Sequence, residues 1–194
     1  MAILLSCYGQ LRAQAMTDAE RTFLVKHLTD TKAYLHEAIK GLSESQMNYK
    51  AAPERWSIKE CLKHIANTEL LVAQRNNEAM KTPANPEKRS EIKTTDDHII
   101  AVALNRTEKL QAPEVLKPTG RYATAADALK AYDEQRDKTI QYVKTTNDDL
   151  HGHIAPHPLF GMIDSYQWFI LLGAHQKRHT LQIEEVKADK NFPK

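Results

Sequence analysis

Apolar residues recur along this chain at the three- and four-residue steps of helices, and no useful length alternates strictly with polar ones. Thr17-Asp18-Ala19-Glu20 has the form of a capping box, in which hydroxyl and carboxylate satisfy orphan backbone amides reciprocally. Phe23/Leu24, Leu28, Tyr34/Leu35 and Ala38/Ile39 follow on one face, and Gly41 is placed as a stop, so a first helix is predicted over 18–40. A second box, Ser57-Ile58-Lys59-Glu60, opens an apolar line through Cys61/Leu62, Ile65 and Val72. It predicts a helix over 58–81, closed by Pro83 and Pro86. The polar, proline-punctuated stretch 82–94 reads as loop, and 96–109 as a shorter helix ended before Pro113 and Pro118. Thr124-Ala125-Ala126-Asp127 begins a long helix whose Leu129, Tyr132, Ile140 and Val143 share a face until about Thr146-Asn147. A loop bearing histidines and prolines, 151–158, and then Gly161 lead into a last helix over 163–188.

Four long helices and a short insertion between the second and third predict an all-α four-helix bundle, with no strand required. No internal repeat of solenoid period is present. The domain spans 17–190, and residues 1–16 form a leader. Its Ala2-Ile3-Leu4-Leu5 run and Ala13-Gln14-Ala15 have the look of a secretory signal lacking its basic start; a disordered leader is the competing reading. The location is accordingly cytoplasmic, or exported if that segment is a signal remnant.

The last helix carries the chemistry. Trp168, Leu172, His175, His179, Gln182 and Val186 fall on one stripe, read as facing inward, beside a neighbour stripe of Phe169, Gly173, Gln176, Thr180 and Ile183. His175 and His179 stand where leucines are expected, and a buried imidazole without a partner costs about 1–3 kcal/mol. Imidazoles four residues apart on a helix can take two corners of a metal's coordination sphere. The residues between them, Gln176, Lys177 and Arg178, lack the glutamate of H-E-x-x-H, which argues against a zinc peptidase. A third ligand must come from another helix. His64, at the edge of the second helix's apolar line, is the first candidate, with His27 and the loop histidines His151, His153 and His157 competing. His36 and His98 read as surface or boundary residues.

Composition narrows the partners. The 194 residues include 27 basic and 25 acidic ones, a net charge of +2 without long single-sign blocks, so no nucleic-acid footprint is present. No apolar run approaches the roughly 18 residues of a membrane span. Two cysteines, Cys7 and Cys61, allow neither a disulfide framework nor a cysteine-based zinc site. Glu69, in line with Leu62, Ile65 and Val72, is a candidate general base against a solvated-surface alternative. Arg136 is a candidate for binding an anionic substrate group against surface ion pairing. Glu60 serves the cap before it serves a ligand.

The run Trp56-Ser57-Ile58-Lys59-Glu60-Cys61-Leu62-Lys63-His64-Ile65-Ala66 resembles the opening of the second bundle helix in the DinB-like, or YfiT-like, metal-dependent hydrolase superfamily. His157-Pro158-Leu159-Phe160-Gly161, followed by His175, Arg178, His179, Gln182 and Ile183, is similar to that family's closing pattern. The resemblance runs over about 17–190 and implies a four-helix bundle with one divalent metal, nickel or zinc, on His64, His175 and His179. It leaves the reaction open. The first reading is a metal-dependent hydrolase acting on a small molecule through an activated water. Its alternatives are a metal-dependent low-molecular-weight-thiol S-transferase and a non-catalytic metal-binding or stress-induced protein. Bundles of this kind also commonly form homodimers.

Overall fold

Capping decides where the long helices begin. The computed structural model describes residues 15–107 and 111–194. Its helices are α1 (Asp18–Ile39), α2 (Glu44–Asn48), α3 (Ile58–Ala79), α4 (Asp96–Leu104), α5 (Ala125–Thr145) and α6 (Ser165–Lys187). The boxes read from sequence at Thr17/Glu20, Ser57/Glu60 and Thr124/Asp127 are all formed. Two more, Ser43/Gln46 and Asp164/Gln167, start α2 and α6. The leader's signal-like segment lies outside the described residues up to position 14; the short helix, expected over 96–109, is corrected, since α4 stops at Leu104 with Asn105 as its C-cap. Met16, grouped with the leader above, is buried in the core.

Three local expectations are corrected. The turn after α1 continues into the short helix α2, and 82–94 contains a 3-10 turn over Pro86–Glu91. The histidine- and proline-bearing loop is an antiparallel hairpin of β1 (Ile154–His157) and β2 (Gly161–Asp164), with Ala155 opposite Ile163. Gly161 opens β2 at φ 68°, a conformation that a side chain disfavours. Ile163, expected as the first helical residue, thus belongs to β2, and Asp164, the last residue of that strand, is the cap of α6.

Cross-helix bonds fix the topology. His27 meets the Ile170 carbonyl and Lys187 the Ala38 carbonyl, so α1 and α6 run parallel. Arg21 reaches Val143 and Lys32 reaches Asp137, so α5 opposes α1. His64 lies beside His175 and Arg75 beside Trp168, so α3 opposes α6. The order is up, down, down, up, with α4 packed on α6.

The core is two apolar clusters with a polar layer between them. One holds Leu24, Leu28, Ile99, Val143 and Phe169; the other holds Leu35, Ile58, Leu62, Tyr132 and Ile183. Each bundle helix places buried polar residues between the clusters: Thr31, Glu69, Arg136 with Thr139, and Gln176 with Thr180. Arg136 donates from Nε and Nη2 to the two Glu69 oxygens at 3.0 and 2.7 Å, and from Nη1 to the Leu28 carbonyl and Thr31. Thr139 adds a bond to Glu69, so the buried pair is saturated.

The inward face of α6 is broader than the expected stripe. Phe169, Gly173, Gln176, Thr180 and Ile183 are all buried, as are Leu172, His179 and Val186 of the expected stripe, whereas its Trp168, His175 and Gln182 are half-buried. The histidines sit on the flank facing α3, and the Gln176 side turns to the polar layer.

Candidate metal centre

Antiparallel packing of α3 on α6 brings His64 to His175 and His179, one helical turn apart. His64 Nε2 is 3.1 Å from His175 Nε2, and His179 Nε2 is 3.2 Å from the same atom. The other ring nitrogens explain what these contacts are. His64 Nδ1–H donates to the Leu116 carbonyl at 2.7 Å, and His179 Nδ1–H donates to Gln182 Oε1 at 2.9 Å. Each bond fixes the tautomer and leaves Nε2 as a bare lone pair. A single proton on His175 Nε2 serves at most one contact and leaves the other as lone pair against lone pair.

A cation at the point of convergence resolves that repulsion. Bonds of about 2.0–2.1 Å in tetrahedral array put ligand nitrogens about 3.3 Å apart, close to the separations found. Burial holds His64, His175 and His179 below the usual imidazole range, and for the last two the neighbouring imidazoles add to it. All three are thus neutral at pH 7, the form that ligates. These residues can hold a metal ion, and among the described residues no carboxylate or thiol joins their cluster.

The surroundings limit water. The Trp56 ring lies 4.9 Å from His64 and is stacked at 5.9 Å on His179. Arg178 donates to the Ala103 and Asn105 carbonyls, and Arg106 makes a bidentate pair with Glu185 at 2.6 and 2.7 Å. Both anchor the segment leaving α4 beside the site. Asn67, one turn past His64, donates to the Lys117 carbonyl, so consecutive carbonyls of one strand of backbone are tied to α3.

The other candidates lie elsewhere. His27 bonds the Ile170 carbonyl at 3.0 Å between α1 and α6. His151 is sandwiched between Asp164 at 2.9 Å and Glu20 at 3.3 Å. His157 packs edge-on against Trp168, and His153 is half-buried at the start of the hairpin. Glu69 and Arg136, expected as base and anion-binding residue, are bonded to each other, fully buried rather than at a surface, and neither joins the imidazoles. Glu60 is spent on its cap. Gln182 had a sequence signal, three residues past His179 on the same stripe; the Leu116 carbonyl had none.

The sequence model of the DinB superfamily matches residues 27–183. This chain belongs to the DinB superfamily. The span that matches the DinB superfamily holds all three histidines, the Glu69–Arg136 pair and the hairpin. The chain is also similar to the uncharacterized protein YuaE of Bacillus subtilis (strain 168), with 28% identity over 149 residues, 77% of this chain and 88% of that relative. No solved structure matches it. No helix among the described residues of this DinB-superfamily chain is long and apolar enough to cross a membrane.

Proposed function

We propose that this protein is a metal-dependent hydrolase of small molecules whose ion is held by His64, His175 and His179. The convergence of three Nε2 atoms, two of them stripped of protons by fixed acceptors, carries this reading. Three neutral imidazoles leave a coordination position open, as in catalytic rather than structural sites. When bound, a divalent ion acidifies a water molecule and polarises a carbonyl. The chain's own work is to keep the imidazoles neutral, to orient two of them through Leu116 and Gln182, and to restrict solvent with Trp56. An all-imidazole donor set suits zinc or nickel.

A second reading, thiol S-transfer, draws on the absence of a carboxylate from the cluster among the described residues. A thiol loses its proton on ligation and needs no separate base.

Elemental analysis and an activity screen test these readings together. Purified protein is expected to carry about one zinc or nickel per chain, and the His64→Ala, His175→Ala and His179→Ala variants almost none. Esters or amides should be hydrolysed by the loaded protein, with activity lost on chelation and restored by the ion. Full metal retention in the His175→Ala and His179→Ala variants would sink the site. Turnover confined to a thiol plus an electrophile would select the second reading, and a loaded protein inert toward both sets would be a metal-holding protein.

A further inference from the structure

A second cavity lies far from the imidazoles, between the C-terminal half of α3, the hairpin and Trp168, with a volume of about 340 Å³. Asn76, on its wall, is 12 residues past His64 on α3, about 18 Å along the axis at 1.5 Å per residue. That volume falls in the range of small-ligand sites, about 300–1,000 Å³.

Asn76 is 6% exposed, and its Oδ1 has no hydrogen-bond partner. The nearby Tyr142 hydroxyl donates to Asp148 at 2.6 Å, so its proton is spent and cannot serve Asn76 Oδ1. A buried acceptor left over costs about 1–3 kcal/mol, so a donor is missing here.

The rest of the wall adds charge and an aromatic face. The Arg75 guanidinium stands 5.0 Å over the Trp168 ring, and among the described residues no carboxylate lines the cavity or pairs with Arg75. The outer wall is held open by Asn85, which mimics a strand. Its backbone N–H donates to the Gly152 carbonyl at 2.8 Å, its Nδ2 to the Ile154 carbonyl at 2.9 Å, and its Oδ1 accepts from Ile154 N–H at 2.8 Å.

We propose that this cavity is a second small-molecule site, taking an organic anion that also carries an amide N–H or a hydroxyl. The carboxylate meets Arg75, the N–H or O–H donates to Asn76 Oδ1, and the apolar body lies against Trp168 and Ile154. An ammonium group is excluded because Asn76 offers one neutral acceptor and no buried counter-charge.

N-acetyl-L-leucine, which carries all three features, is the probe. In NMR titration of the full chain it should give saturable shifts at the Trp168 indole and the Asn76 side-chain amide, while the Trp56 indole stays still. Binding should weaken about tenfold or more for its methyl ester, for 4-methylpentanoate, and in the R75Q and N76L variants. Arg75 is exposed, so R75Q keeps the comparison sound if N76L folds poorly. The H175A variant should bind the probe unchanged, which separates this site from the metal reading. No saturable shift, equal affinity for the methyl ester, or a crystal soak showing only water on Asn76 Oδ1 would overturn the proposal.

Discussion

Gln182 touches no metal-facing atom, yet it decides whether His179 is a ligand or an ordinary buried imidazole. Its Oε1 accepts from His179 Nδ1–H, which forces the lone pair onto Nε2. Replacing it with leucine frees the ring to rotate or to adopt the other tautomer. The Gln182→Leu variant should therefore fold normally and bind zinc about 10–100-fold more weakly in competition with a chelator. An affinity within twofold of the parent would show that packing alone holds the ring. At this scale the sequence was informative about side chains and silent about backbone. His175 and His179 were legible from a four-residue step on an apolar stripe, whereas His64 needed the family resemblance to prevail over His27 and the loop histidines. The Leu116 carbonyl has no sequence signature at all, because which carbonyl meets a histidine depends on how a long connection folds back.

The elements meet through contacts that one-dimensional reading half resolved. Glu69 shares a line with Ile65 and Val72 that the sequence displays, but its partner follows from α3 and α5 running parallel, which lays residue 69 beside 136. Breaking that buried pair leaves an uncompensated charge. Glu69→Gln should cost about 3–5 kcal/mol in denaturant unfolding, and a Glu69→Leu/Arg136→Met double variant should recover most of it. Equal losses in the single and double variants would mean that the Thr31 and Thr139 bonds, rather than the charges, matter. The α1–α6 contact makes a second case. A Cβ on Gly173 would run into the His27 ring, so the helices approach closely only because position 173 lacks one. Gly173→Ala should destabilise by about 1–3 kcal/mol, and adding His27→Ala should remove most of that penalty. A simple sum of the two single losses would refute the clash. The hairpin escaped the sequence reading because each strand has only four residues, too few to show alternation, and Pro156 within β1 argues locally against a strand.

For the whole molecule, the histidines couple stability to pH in two opposing directions. Burial holds His27, His64, His157, His175 and His179 below the ordinary imidazole value. In the unfolded chain these groups take protons as pH drops through about 6.5, before they do so in the native state. Their contribution is present above that value and lost below it, because the unfolded state then binds more protons. His151 does the reverse. Its hydrogen bond to Asp164, opposed in part by burial and helped by the charges of Asp164 and Glu20, raises its pKa. That contribution is full below about 6.5 and fades as pH rises through the raised value. Metal-free protein should thus lose melting temperature from about pH 7.5 to about pH 5, the buried neutral imidazoles outweighing His151. His151→Gln should steepen the fall, with its penalty larger near pH 6 than near pH 8. Saturating zinc should raise the melting temperature at neutral pH by mass action and lose that effect on acidification, as protons compete for the same three Nε2 atoms. A metal increment unchanged across the whole range would mean that the ion is held by groups that do not titrate there, and therefore not by these histidines.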